Sequence, residues 1–164
     1  MPSFQELARV LFIGIVATVV LDLWLVLLRS AGIPTLNFAL IGRWVGHLWR
    51  GRFVHPAIAR AEPIAGELAW GWFTHYAIGI AFAAILVSIL GAAWLQQPRL
   101  APALAFGLCT VLAPLFVMQP AMGAGFASSR TATPARNVLR SVANHGVFGL
   151  ALYLASRLAA QVLA

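Results

Sequence analysis

The sequence predicts an all-α membrane protein in which four transmembrane helices form a bundle. Hydrophobic residues make up 62% of the 164 residues and charged residues only 9%, whereas a soluble domain carries about 25% charged residues. The mean hydropathy is +0.90, and four stretches approach the ~20 apolar residues that a helix needs to cross the hydrocarbon core. Because a backbone in lipid must satisfy its own hydrogen bonds, helices are favoured throughout. We predict one transmembrane domain over residues 1–164.

The four helices are predicted from the apolar stretches in chain order. The first is interrupted only by Asp22, and it is longer than the ~7–15 apolar residues of a signal peptide, so we expect it to remain in the protein. The second precedes Arg99 and the third follows it. The fourth contains Arg157, which we expect to reach an interface. The helices are predicted at about residues 8–29, 66–95, 100–121 and 137–162.

The loop between the first two helices, residues 30–65, is too long to lack structure of its own. We predict an amphipathic helix at about residues 35–50. On that helix Arg43, His47 and Arg50 share one face, beside aromatic and aliphatic side chains. Such a helix suits the cytoplasmic layer of anionic lipid head groups.

Two histidines of this loop allow two interpretations. His47 and His55 could form a metal pair or a substrate clamp. No third ligand follows at zinc-like spacing, which favours solvated histidines at the membrane interface.

The positions of the arginines predict the orientation. The first and third loops share one side of a four-helix protein, and eight arginines lie near them against three on the other side. The positive-inside rule therefore places both loops in the cytoplasm of a bacterial inner membrane and both termini outside. Topology also explains the net charge of +7, and no nucleic-acid-binding module has room in the chain. The eight arginines are Arg29, Arg43, Arg50, Arg52, Arg60, Arg130, Arg136 and Arg140.

Two histidine segments resemble each other. His75-Tyr-Ala-Ile-Gly79 and His145-Gly-Val-Phe-Gly149 each place a histidine four residues before a glycine inside an apolar stretch. The match suggests a parallel internal repeat of two helix pairs, related by an axis along the membrane normal. Ionisable side chains are costly in a bilayer, so both histidines are functional candidates.

One polar group of each helix is predicted to reach a common layer near the cytoplasmic side. Asp22 lies six residues before Leu28, and His75 and His145 lie a similar number of helical turns from the ends of their own helices. We predict an intramembrane polar cluster of Asp22, His75, His145, Gln119 and Asn144. At its cytoplasmic rim we expect Arg43, His47, Arg50, Arg52, His55, Glu67 and Arg130.

Helix packing is the alternative interpretation of the same residues. Gly71, His75 and Gly79 are spaced by four, as are His145, Gly149 and Tyr153. Small residues at this spacing let membrane helices approach closely, and polar neighbours bond across the interface. The cluster would then only fix the register of the helices.

Three functional hypotheses follow. In the first, Asp22 and the two histidines form a proton-responsive site of a small transporter or channel-like protein. An Asp–His pair can titrate near neutral pH. Pro114 and Pro120 weaken the third helix and could supply a hinge. In the second, His75 and His145 ligate a haem or a metal ion between their helices. In the third, the protein is a non-enzymatic accessory subunit that binds lipid or a membrane partner through its Arg/Trp loop.

Catalysis is the weakest hypothesis. Backbone amides of residues 123–130, together with Arg130, could cradle a lipid phosphate. The segment lacks the lysine of a P-loop, and the chain has no nucleophile elbow and no His-Glu-x-x-His motif. We therefore predict no catalytic residue. Because four helices make a thin wall around a transport path, a homodimer is a candidate assembly.

The chain also resembles a bacterial family of small integral-membrane proteins of unknown function. The resemblance spans nearly the whole length and implies an inner-membrane location and four helices, without an activity or a ligand. A weaker resemblance joins it to four-helix inner-membrane proteins with a histidine in helices two and four, one of them linked to acid resistance. The segments that carry the family resemblance are Asp22-Leu-Trp24, Gly42-Arg-Trp-Val-Gly-His47, Gly51-Arg-Phe53 with His55, Gly66-Glu67, His75-Tyr-Ala-Ile-Gly79, Met118-Gln-Pro120 and Gly123-Ala-Gly125.

Overall fold

The described structure, a computed structural model covering residues 3–163, contains helices and no strands. Four helices are long and apolar enough to cross a membrane, which confirms the predicted all-α class. These candidate spans are α1, α3, the segment Leu100–Ala121 and α7. The α-helices are α1 (Phe4–Ser30), α2 (Phe38–Leu48), α3 (Glu67–Leu90), α4 (Ala92–Gln96), α5 (Leu100–Thr110), α6 (Gln119–Ala121) and α7 (Pro134–Val162). A π-helical turn spans Pro114–Met118, and short 3-10 turns span Ile58–Arg60 and Phe126–Ser128.

Local sequence signals explain where the helices begin and end. α1 begins earlier than predicted because Ser3 and Glu6 form a capping box, in which each side chain bonds the backbone N–H of the other. α3 ends at Leu90, earlier than predicted, because Gly91 adopts a φ of +77°, which a helix cannot accommodate. Pro134 is the first residue of α7, where the missing N–H of proline has no helical partner to lose.

The chain divides into two compact units. The first comprises residues 3–34, 76–110 and 144–163, and parts of all four candidate spans pack there around one core. This arrangement confirms the predicted bundle. The core residues include Ile13, Ala17, Ala83, Leu86, Ala103, Phe148, Ala151 and Leu152.

The first unit exposes many large apolar side chains and buries several small residues where its helices meet. On α1, Leu11, Ile15 and Val19 are exposed while Ala17 and Thr18 are buried. A soluble helix would place its large apolar side chains in the core. Large apolar side chains outside and small ones at helix contacts are typical of a helix surrounded by lipid.

Glycines permit the closest helix contacts of this unit. A Cβ atom at Gly79 of α3 would collide with the Thr18 side chain of α1, and a Cβ atom at Gly107 of α5 would collide with the Gly149 backbone of α7. Two members of the glycine–histidine stripes, Gly79 and Gly149, therefore serve helix packing, as the packing interpretation expects.

The second unit comprises residues 35–75 and 111–143. Asn37 caps α2 by accepting a hydrogen bond from the N–H of Ala39, so the loop helix begins three residues later than predicted. Gly71 of α3 packs against the backbone of Phe38. The segment after α2 returns to α6, because the His55 N–H donates to the Ala121 carbonyl at 2.8 Å.

Candidate functional site

Asp22 of α1 is partly buried and is hydrogen-bonded by a tyrosine of α3. The Tyr76 hydroxyl donates to Asp22 Oδ2 at 2.8 Å. Tyr76 directly follows His75 in the sequence. Because a tyrosine hydroxyl can both donate and accept, this pair can stay hydrogen-bonded whether the carboxyl group is ionised or protonated. Tyr76 was not among the predicted site residues, although its position beside the predicted histidine was a usable signal.

Two further polar pairs join helices of the first unit. Trp24 Nε1 of α1 donates to Asn144 Oδ1 of α7 at 2.9 Å. His145 Nδ1 of α7 lies 2.7 Å from the Thr110 hydroxyl of α5. That hydroxyl already donates to the Gly107 carbonyl at 2.6 Å. The hydroxyl has one proton, so His145 Nδ1 must be the donor in its bond to Thr110.

The other two residues of the predicted polar cluster lie in the second unit. The His75 ring packs against Phe38 with its centroid 4.6 Å away, and against Trp72 at 6.0 Å. Gln119 Oε1 accepts a hydrogen bond from the Ser128 hydroxyl at 2.9 Å. Asp22, Asn144 and His145 thus belong to one unit and His75 and Gln119 to the other. One common layer stays a prediction, as does ligation of a metal or haem by the two span histidines.

Arg43 organises the loop of the second unit. Its guanidinium donates to both carboxylate oxygens of Glu67, at 2.8 and 2.9 Å. It also donates to the carbonyls of Ala59 and Ala61, both at 3.1 Å. The hydrogen bond to Glu67 raises the pKa of Arg43 above its ordinary value, so the guanidinium stays charged. A predicted rim residue is therefore occupied by protein partners.

The remaining rim arginines lie at the surface of the protein. Arg50, Arg52 and Arg130 are exposed. Arg50 Nη1 lies 3.7 Å from Glu62 Oε2, and the two side chains are 58% and 74% exposed. Trp49 is 80% exposed and stands directly before Arg50. A cationic and aromatic surface of this kind suits the boundary between water and lipid.

His47 and His55 are buried, so the expectation of solvated histidines is wrong. Their side chains are 1% and 2% exposed, and their ring centroids lie 4.9 Å apart at an interplanar angle of 75°. His47 Nε2 lies 2.9 Å from the Glu62 carbonyl oxygen. Burial lowers the pKa of His55, and the nearby charges of His47 and Arg52 lower it further. The loop folds over both rings, which the local pattern of residues could not indicate.

The buried pair leaves three ring nitrogens without partners. His47 Nδ1, His55 Nδ1 and His55 Nε2 have no hydrogen-bond partner in the described structure. A buried polar atom left unpaired costs about 1–3 kcal/mol. Within residues 3–163, no group of three or more His, Cys, Asp and Glu side chains could hold a metal ion.

Part of the predicted phosphate cradle is hydrogen-bonded within the protein itself. The N–H groups of Gly123 and Ala124 donate to the carbonyls of Pro120 and Gln119, and those of Ser129 and Arg130 also donate to chain carbonyls. These amides are therefore occupied. The segment instead places Gly123 against the Pro56 backbone.

A groove of about 610 Å³ lies in the first unit at the connection between α3 and α5. It begins at Leu90, fourteen residues beyond Tyr76, which is about 21 Å along a helix. None of the predicted cluster or rim residues lines it. The lining residues are Leu90, Ala93, Trp94, Gln96, Gln97, Arg99 and Pro102.

The apolar spans, the small residues at their contacts and the polar pairs between them define a four-helix membrane protein. The chain belongs to the DUF2938 family, described as proteins of unknown function, whose model matches residues 11–159. This match confirms the resemblance to a membrane family of unknown function. No curated protein and no solved structure matches the chain.

Proposed function

We propose that the protein is a proton-responsive transporter or channel-like protein of the bacterial inner membrane, in which Asp22 takes up the proton. The hydrogen bond of 2.8 Å from Tyr76 to Asp22 supports this proposal. It joins two helices that are each long and apolar enough to cross a membrane. A carboxyl group at such a position is costly and is a functional candidate by default.

Protonation of Asp22 changes the strength of the link between α1 and α3. A hydrogen bond to a carboxylate is roughly twice as strong as one between neutral groups, so proton uptake weakens the Tyr76–Asp22 bond. Trp24 lies two residues further along α1 and is bonded to Asn144 of α7. A movement of α1 is therefore passed to α7 by a direct side-chain bond.

The third span supplies a place for bending. A π-helical turn at Pro114–Met118 interrupts its α-helix, and Pro120 follows. Proline removes a backbone donor and disturbs the helix before it, and π-helical turns are frequent at functional sites. We propose that the third span bends at this interruption when Asp22 takes up a proton.

The arginines orient the protein in the membrane. Eight of them lie in or near the first and third loops against three on the other side, so the positive-inside rule favours these loops in the cytoplasm and the termini outside. The exposed Trp49 and Phe53 stand beside Arg50 and Arg52. This surface binds anionic lipid head groups, with each exposed arginine contributing about 1 kcal/mol.

Trp24 is a built-in reporter for the proposal. We expect its fluorescence in proteoliposomes, isolated by subtracting the signal of Trp24→Phe, to change as the pH is lowered and Asp22 takes up a proton. Asp22→Asn, which mimics the protonated carboxyl group, should hold the signal at its acid value. Glu62→Gln is the matched control, since that carboxylate is 74% exposed, and it should keep the transition. A transition unchanged in Asp22→Asn would contradict the proposal.

Transport is tested separately from the pH response. Proteoliposomes that enclose a pH-sensitive dye should show inward proton flux under an imposed membrane potential, and Asp22→Asn should abolish it. Tyr76→Phe keeps the carboxyl group but loses the donated hydrogen bond, so its flux should persist with a shifted pH dependence. Equal flux in Asp22→Asn and the unmodified protein would exclude Asp22 from the path.

A further inference from the structure

The buried histidine pair of the second unit has no part in the proton hypothesis. His47 and His55 are 1% and 2% exposed, and their ring centroids are 4.9 Å apart. Three of their four ring nitrogens lack a hydrogen-bond partner among the described residues. Two buried imidazoles with unused nitrogens are an unusual choice where apolar side chains would avoid the cost of desolvation.

The tautomer of His47 follows from its one hydrogen bond. His47 Nε2 lies 2.9 Å from the Glu62 carbonyl oxygen, and a carbonyl oxygen can only accept. Nε2 therefore carries a proton, so in the neutral form of the ring the free electron pair lies at Nδ1. A histidine whose other ring nitrogen donates to a backbone carbonyl is the usual arrangement of a metal ligand.

His55 is held in place by its backbone. Its N–H donates to the Ala121 carbonyl at 2.8 Å, while Nδ1 and Nε2 are both unpartnered and buried. Its neutral ring therefore presents a second free electron pair close to His47. Each of the two rings therefore offers an electron pair to which no hydrogen-bond donor of the described structure is bound.

We propose that His47 and His55 together bind one soft monovalent d10 cation of the Cu⁺ class. Imidazole is a good ligand for copper. Zinc in structural sites takes four protein ligands, whereas Cu⁺ is stable with two. No third His, Cys, Asp or Glu joins a metal-binding group among residues 3–163.

The charge nearby also favours a monovalent ion. Arg52 is close enough for its positive charge to act on His55, and it would repel a divalent cation more strongly than a monovalent one. Two nitrogens that share an ion at about 2.0 Å each lie at most about 4 Å apart. A centroid distance of 4.9 Å is compatible with one nitrogen of each ring at that separation.

Silver is the redox-inert probe for this site. We would titrate the detergent-purified full chain with Ag⁺ by calorimetry, in a Cys109→Ala background because the exposed thiol of Cys109 also binds silver. One Ag⁺ per chain is expected. Loss of an outer partner alone costs about 10–100-fold in metal affinity, so His47→Leu and His55→Leu should each weaken binding by at least about 100-fold. His145→Gln is the matched control and should bind as the parent does.

Each other outcome overturns the proposal. Absence of stoichiometric Ag⁺ binding, or equal binding by His55→Leu, excludes the pair as ligands. An equal loss of Ag⁺ affinity in His145→Gln would assign the ion to the histidines of the membrane spans. Binding of Zn²⁺ but not of Ag⁺ would exclude a site for monovalent cations. If a leucine variant fails to fold, ¹⁵N-histidine NMR of the parent protein tests the same ligands. Ag⁺ should shift the ring-nitrogen resonances of two of the four histidines and leave those of the other two unchanged.

Discussion

Replacement of Arg43 by alanine should loosen the loop of the second unit far more than replacement of Arg50. Arg43 bonds both oxygens of Glu67 and the carbonyls of Ala59 and Ala61. The Arg43 and Glu67 side chains are only 12% and 21% exposed. Removing one partner of a buried ion pair costs about 3–5 kcal/mol. Residual solvent contact reduces this, so we expect about 2–4 kcal/mol.

Hydrogen exchange measures this loss locally. A cost of about 2–4 kcal/mol corresponds to opening that is ~30–900-fold more frequent. The N–H groups of Ile58, Arg60 and Ala61 are hydrogen-bonded in this loop and should exchange faster by that factor in Arg43→Ala. The Arg50–Glu62 pair is 58% and 74% exposed, so Arg50→Ala should change exchange by less than about fivefold. Similar exchange in the two variants would refute the assignment of Arg43 as the organiser of the loop.

Three further predictions concern packing, backbone strain and metal binding. Gly107→Ala should lower the thermal transition temperature, because the added Cβ would collide with the Gly149 backbone. Gly146→Ala is the control: its Cβ would meet only a side-chain atom of Leu108 at 3.6 Å, so the transition temperature should stay unchanged or rise. Ala127 has a φ of +47°, a conformation that costs a non-glycine residue about 1–2 kcal/mol, so Ala127→Gly should raise the transition, and a lowered one would contradict the strain. Calorimetric Ag⁺ affinity should fall as the pH is lowered, since protons compete for the same imidazole electron pairs, and a pH-independent affinity would exclude histidine ligands.

Hydropathy and spacing alone predicted the architecture. Apolar length set the four spans, because the lipid core imposes that length on any helix that crosses it. The observed helix boundaries differ from the predicted ones where a single local feature begins or ends a helix. Gly91 ends α3, and the capping box of Ser3 begins α1. The asymmetry of the arginines predicts the orientation, which has still to be measured.

The sites were predictable only in part. Asp22 and His145 could be singled out because an ionisable group is rare in an apolar stretch. Their partners Tyr76 and Thr110 leave no periodic signal, since they are single hydroxyl groups on neighbouring helices. Only the place of Tyr76 beside His75 marks it in the sequence. The burial of His47 depends on the loop that covers it, and such a long-range contact is not encoded in the local pattern of residues.

Infrared difference spectroscopy tests the central claim most directly. We would record the carbonyl stretch of protonated carboxyl groups as the pH is lowered, in the membrane-reconstituted protein and in Asp22→Asn. The account predicts a carboxyl band that appears on acidification, that is absent in Asp22→Asn and that shifts in Tyr76→Phe, whose hydrogen bond to Asp22 is lost. A band of the same size and position in Asp22→Asn would show that another group takes up the proton.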